Sequence, residues 1–264
     1  MTRAVRNRLV ALLLGAFSDP PKRDAVLWLA LYWERCDDGR QPRVSVSDLE
    51  AAWAARHPDL ASHPGSFAEA AAPLQGILEV HESTEAPWRG GQASGSRGSF
   101  AAWCEPHADV LPFLRPVGER VRIYAEVVRE IAARASAVER LEPLRRGIAE
   151  AAICFNAGLF FEAHEHLEDH WRRLPPSPTK RFVQGIIQIS VGFHHAMRGS
   201  YQGAVNQLTK GIANLAEAPE GALGLERDRF VGEVEAARQE IVARGRQRMR
   251  QAWLHELPRM YLRY

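Results

Sequence analysis

The stretch Phe160-Phe161-Glu162-Ala163-His164-Glu165-His166-Leu167-Glu168-Asp169-His170-Trp171 decides how the second half of this chain folds. Placed on a helical wheel at about 100° per residue, Phe160, Ala163, Leu167, Trp171 and Leu174 share one arc. His164 falls inside that arc, Glu168 lies at its edge beside Phe161, and Glu165 sits on the border. Glu162, His166, Asp169, His170 and Arg173 take the opposite side, which reads as a solvated face. A spacing of four residues brings the side chains of His164 and Glu168 together. The expected element is an amphipathic helix that turns one imidazole and one carboxylate toward its own core.

The next apolar stretch, residues 179–198, answers it. Phe182, Ile186, Ile189, Phe193 and Met197 form an apolar arc that Val183, Ile187 and Val191 widen. A helix this apolar belongs at the centre of a bundle. Its narrow polar stripe is Gln184, Gln188 and His195, and buried amides and imidazoles need partners. His164 and Glu168 are the expected partners. Asn156 and Trp171 complete the expected pocket.

Further out, helical periodicity marks residues 144–157, 201–217 and 226–250. Asn156-Ala157-Gly158, Pro175-Pro176-Ser177-Pro178, Gly199-Ser200 and Pro219-Glu220-Gly221 separate the helices. Connections this short make neighbours antiparallel, so residues 141–264 are expected to form an antiparallel helical bundle. Arginines crowd its last helix, where a solvated face accounts for them.

Imidazole and carboxylate at this spacing suit a divalent cation such as zinc, iron or manganese. A metal held by His164, Glu168 and His195 would keep open positions for water, and Glu165 would stand ready as a base; that is the outline of a metal-dependent hydrolase. The competing reading is a buried hydrogen-bonded network around Gln188 with no ion in it. Glu168 occupies the position where a zinc-protease helix carries its second histidine.

The same residues resemble a known family. Phe155-Asn156-Ala157-Gly158, then His164, Glu168 and Trp171, then Gln184-Gly185-Ile186-Ile187-Gln188 are similar to the domain of unknown function 309. His195, Gly199, Gly203-Ala204 and Leu257-Pro258-Arg259-Met260 extend the resemblance over residues 141–262, and Ser200 stands where the family usually has Asn. The resemblance implies a small helical bundle with a His-x-x-x-Glu-x-x-Trp signature proposed to bind metal. It implies no reaction.

Residues 1–116 lie outside that resemblance. Helices are expected at 3–17 and 23–36, the second closed by the turn Asp37-Asp38-Gly39, followed by a short extended stretch Arg43–Val46. Ser47-Asp48-Leu49-Glu50 and Ser66-Phe67-Ala68-Glu69 read as capping boxes that open two more helices. An apolar stretch from Ile77 to His81, a Gly/Ser-rich loop at 89–99 and an extended stretch from Phe100 complete a winged-helix-like order. A DNA-reading helix needs basic side chains, and residues 66–76 hold no Lys or Arg. Protein contact is therefore expected ahead of a DNA-binding regulator working through residues 22–104. A connecting helix spans 117–140.

Composition agrees with two mainly α domains. The chain has 264 residues, 46% of them hydrophobic and 25% charged, which are globular values. Its formal charge of +2 does not imply a polyanionic partner. The charge is evenly spread: residues 1–135 carry 16 Lys/Arg against 17 Asp/Glu, and the remainder 18 against 15. Cys36, Cys104 and Cys154 fit neither a disulfide framework nor a thiolate zinc site, so a cytoplasmic protein is expected. Arg3, Arg6 and Arg8 before the run Leu9–Phe17 echo a secretory leader, but Val5, Leu9, Leu12 and Leu13 read better as one face of a helix. No stretch has the length of a membrane span. Apolar helical faces leave a homo-oligomer open. The leading functional expectation is a binding or regulatory protein with a polar, cation-binding pocket in its bundle.

Overall fold

The computed structural model describes residues 1–36, 42–56, 67–82, 102–248 and 257–263. The turn at 37–39, the Ser66 end of the second capping box and the loop at 89–99 lie outside them. The protein is mainly α, with one small sheet among the described residues. Its contacts divide it into two units, Met1–Arg129 and Glu130–Tyr264.

The first unit opens with α1 (Arg3–Gly15), capped by Thr2, whose hydroxyl accepts the Val5 N–H. Val5, Leu9, Leu12 and Leu13 are buried, so the apolar N-terminal run is a core-facing helix. In α2 (Pro20–Arg35), Pro20 and Pro21 occupy the first turn, where a missing N–H costs nothing. Trp28 of this helix stacks on Trp53 of α3 (Val46–Arg56) with ring centres 4.2 Å apart and meets Phe67 of α4 (Phe67–Ala71) edge-on. These rings form the unit's core.

One capping expectation is corrected. The hydroxyl that accepts the Asp48 N–H belongs to Ser45, and α3 begins at Val46 instead of after Ser47. The strand β1 (Val44–Ser45) runs directly into the helix, so the last strand residue is also the cap. The other strands are β2 (Leu78–Glu82) and β3 (Ala102–Pro106). Both strand–strand pairings among the described residues are antiparallel and the order is β1-β3-β2. The long helix α5 (Leu114–Val138) contains the boundary between the units.

The second unit comprises α6 (Pro143–Asn156), α7 (Phe160–Arg173), α8 (Pro178–Met197), α9 (Tyr201–Ala216) and α10 (Arg227–Arg248). Phe155 lies at its centre, edge-on to Phe160, Phe193 and Phe230 at 4.9, 5.8 and 5.4 Å between ring centres. The α6–α7 turn depends on Gly158, whose φ of +75° belongs to the left-handed region that closes helices. Helices α8 and α9 approach closely: a Cβ added at Gly211 would stand 2.8 Å from the Gly185 carbonyl oxygen. That contact sets which face of α8 meets α9.

Candidate functional site

Helix α7 buries Phe160, Ala163 and Leu167, as the wheel predicts. At the rim of that face stand His164, Glu165 and Glu168, with side chains 18%, 39% and 29% exposed. Nδ1 of His164 lies 3.4 Å from Oε1 of Glu165, and Nε2 lies 3.7 Å from Oε2 of Glu168. One ligand atom from each of the three falls within 4.8 Å of the others. Nδ1 of His164 is buried and has no hydrogen-bond partner. Arg172, one turn further on, places its guanidinium 3.0 Å from Oε2 of Glu168. The ring of Phe161 covers the N-terminal side, 5.6 Å from that of His164 and 5.2 Å from that of His194 on α8.

The pocket expected between α7 and the polar stripe of α8 is divided in the structure. Gln188 accepts a hydrogen bond from Nδ2 of Asn214 on α9 at 2.7 Å. His195 also faces α9, where a Cβ at Gly203 would meet its ring at 2.8 Å. Small residues at 185, 192, 203 and 211 let α9 approach, and that approach draws part of the stripe away from α7. His194, which the helical pattern did not single out, is the imidazole of α8 that borders the α7 site. Gln184 is half-buried on the same helix.

Asn156 has another task. Its amide donates to the Met260 carbonyl at 3.0 Å and accepts the Met260 N–H at 2.8 Å, tying the C-terminal segment to the end of α6. Trp171 lies under the Lys180 ammonium, 4.7 Å from the ring centre, and Lys180 also donates to the Leu174 carbonyl. These contacts close the α7–α8 corner.

A second polar cluster overturns the expectation of a solvated face. Glu162 is fully buried. His166 and Glu150 of α6 meet at 2.9 Å, both largely buried. His170 rests on α6 at Gly147, where a Cβ would lie 2.5 Å from Nε2. Burial is the main reason the His170 imidazole is held below its ordinary pKa, and nearby His166 adds to it. Helix α6 covers a side of α7 that a wheel assigns to water. The readable signal was three ionisable residues at spacing four, 162, 166 and 170, beside a glycine-bearing neighbour.

Residues 148–207 match the family Domain of unknown function (DUF309). The match takes in Glu150, all of α7 and α8 and the start of α9, a shorter span than the 141–262 of the resemblance. An "Uncharacterized protein" of Aquifex aeolicus (strain VF5) is 26% identical over 95 residues, which is 36% of this chain and 27% of that protein. "Uncharacterized protein YpuF" of Bacillus subtilis (strain 168) is 31% identical over 84 residues, 31% of this chain and 48% of that one. The chain therefore spans less than half the length of either relative. No solved structure matches. No described helix is long and apolar enough to cross a membrane.

Proposed function

We propose that the second unit is a divalent-cation-binding module, through which the protein acts as a binding or regulatory protein. The observation that carries this reading is the convergence of one imidazole and two carboxylates of α7 within 4.8 Å. Nitrogen and carboxylate donors in that ratio suit zinc, iron or manganese. The carboxylates stand beside opposite ring nitrogens, Glu165 by Nδ1 and Glu168 by Nε2, so either nitrogen has a carboxylate next to it to complete a donor pair. Glu165 thus belongs to the donor group, where a hydrolase reading needs it as a free base. The third ligand of that reading, His195, stands against α9. Cation binding without hydrolysis is the stronger conclusion.

The first unit supports a winged-helix-like reading. Its elements run helix, strand, helix, helix, strand, strand from α2 onward, in a sheet ordered β1-β3-β2. With no basic residue at 66–76, contact with a protein fits it better than contact with DNA. None of the three cysteines forms a disulfide and all are buried, and burial pushes the Cys36 thiol up to about 11 and the Cys104 thiol up to about 12. Buried cysteines outside any disulfide agree with a cytoplasmic protein.

Metal analysis of untagged protein tests the reading. Stoichiometric zinc, iron or manganese that is lost in His164→Ala supports it. Protein that is folded and binds none of the three ions, even when they are supplied in excess, contradicts it.

A further inference from the structure

The sheet of the first unit holds a separate group of donors that the α7 reading does not use. We propose that Glu79, His81 and Glu105 form a second cation site, selective for a zinc-like divalent ion. Glu79 on β2 pairs directly with Glu105 on β3, and His81, two residues along β2, shares the face of Glu79. Like charges directly opposite one another destabilise a sheet unless something positive sits between them.

Each donor is turned inward by a contact on its far side. Oε1 of Glu105 lies 3.2 Å from Nε2 of His81, while its Oε2 accepts a hydrogen bond from Arg43 at 2.9 Å. Oε2 of Glu79 lies 3.8 Å from the same Nε2, while its Oε1 faces Nε2 of His107 at 3.6 Å. His107 accepts the Asp109 backbone N–H on Nδ1 at 3.1 Å. That bond leaves the ring proton on Nε2, which faces the Glu79 carboxylate from behind, so His107 is no ligand itself. The His81 ring is stacked on Trp103, its partner across the strands, with 17° between planes. This is the outer arrangement that aims metal ligands.

Two further observations point to an ion. Nε2 of His81 is buried and makes no hydrogen bond, although two carboxylates approach it. Ligands of a tetrahedral zinc at about 2.1 Å stand about 3.4 Å apart, and the separations of 3.2 and 3.8 Å bracket that value. An open cleft bordered by Arg8, Gln75, Gly76 and His107 reaches Glu79 and His81, giving an ion an entry path.

Calorimetric titration of chelator-treated full chain with zinc tests the site independently of α7. The His164→Gln protein is expected to bind one zinc per chain, and adding His81→Gln is expected to weaken that binding at least 100-fold. Glu79→Gln relieves the charge opposition, so it leaves the sheet folded, and it is expected to lose the ion as well. His107→Ala is expected to weaken binding roughly 10–100-fold. Zinc binding unchanged by His81→Gln or by Glu79→Gln, or no binding by folded His164→Gln protein, overturns the proposal. Loss of zinc in His164→Gln with wild-type binding otherwise intact would leave the α7 reading standing alone.

Discussion

Glu150 of α6 and His166 of α7 meet at 2.9 Å, with side chains 11% and 14% exposed. The pair joins α6 to α7 beside the contact of the His170 ring with Gly147, and it lies on the side of α7 away from His164. Removing one partner takes this hydrogen bond from a largely buried group. Glu150→Ala is expected to cost about 1.5–3 kcal/mol of stability, read from a denaturant midpoint. His166→Ala should cost a similar amount, and the double variant less than the sum of the two. Additive effects would show that the contact contributes nothing.

His170 makes the second unit sensitive to acid. Its pKa is lowered in the fold, chiefly by burial, so the unfolded chain binds the proton first. Stability is therefore full above about pH 6.5, the ordinary histidine value, and falls as pH drops below it. His170→Gln is expected to flatten that fall between pH 7.5 and 5.5, measured by urea unfolding at each pH. An equally steep fall in the variant would assign the acid sensitivity elsewhere.

Asn156 holds the C-terminal segment by two hydrogen bonds to the backbone of buried Met260. Asn156→Ala leaves both Met260 groups without that partner, at a cost of about 1–3 kcal/mol. Faster proteolytic removal of residues 257–263, with the rest of the unit intact, is the expected readout. Unchanged protection of that segment would contradict the tie.

Helix positions in the second half are legible because apolar residues recur at helical spacing and proline and glycine mark the ends. The inward turn of His164 is legible too, since Ala163, Leu167 and Trp171 surround it on the wheel. A wheel gives angles, not the number of neighbours. It assigns Glu162 and His166 to water because it cannot show that α6 lies there, with Gly147 leaving room for the His170 ring. It also cannot choose between α7 and α9 as the partner of Gln188 and His195. The glycines at 185, 192, 203 and 211 carry that information, since they allow the α8–α9 approach. In the first unit, Ser45 and Ser47 are equally good caps by type, and only the end of β1 separates them.

The central claim is that α7 holds a cation at His164 with Glu165 and Glu168. Its most direct test is manganese added at low stoichiometry to protein carrying isotope-labelled histidines, each ring signal being assigned by single His→Gln variants. The His164 signals are expected to broaden early, those of His195 later, and the His164 effect to vanish in a Glu165→Gln/Glu168→Gln variant. His164 signals that stay sharp, or that broaden equally in that variant, would contradict the account.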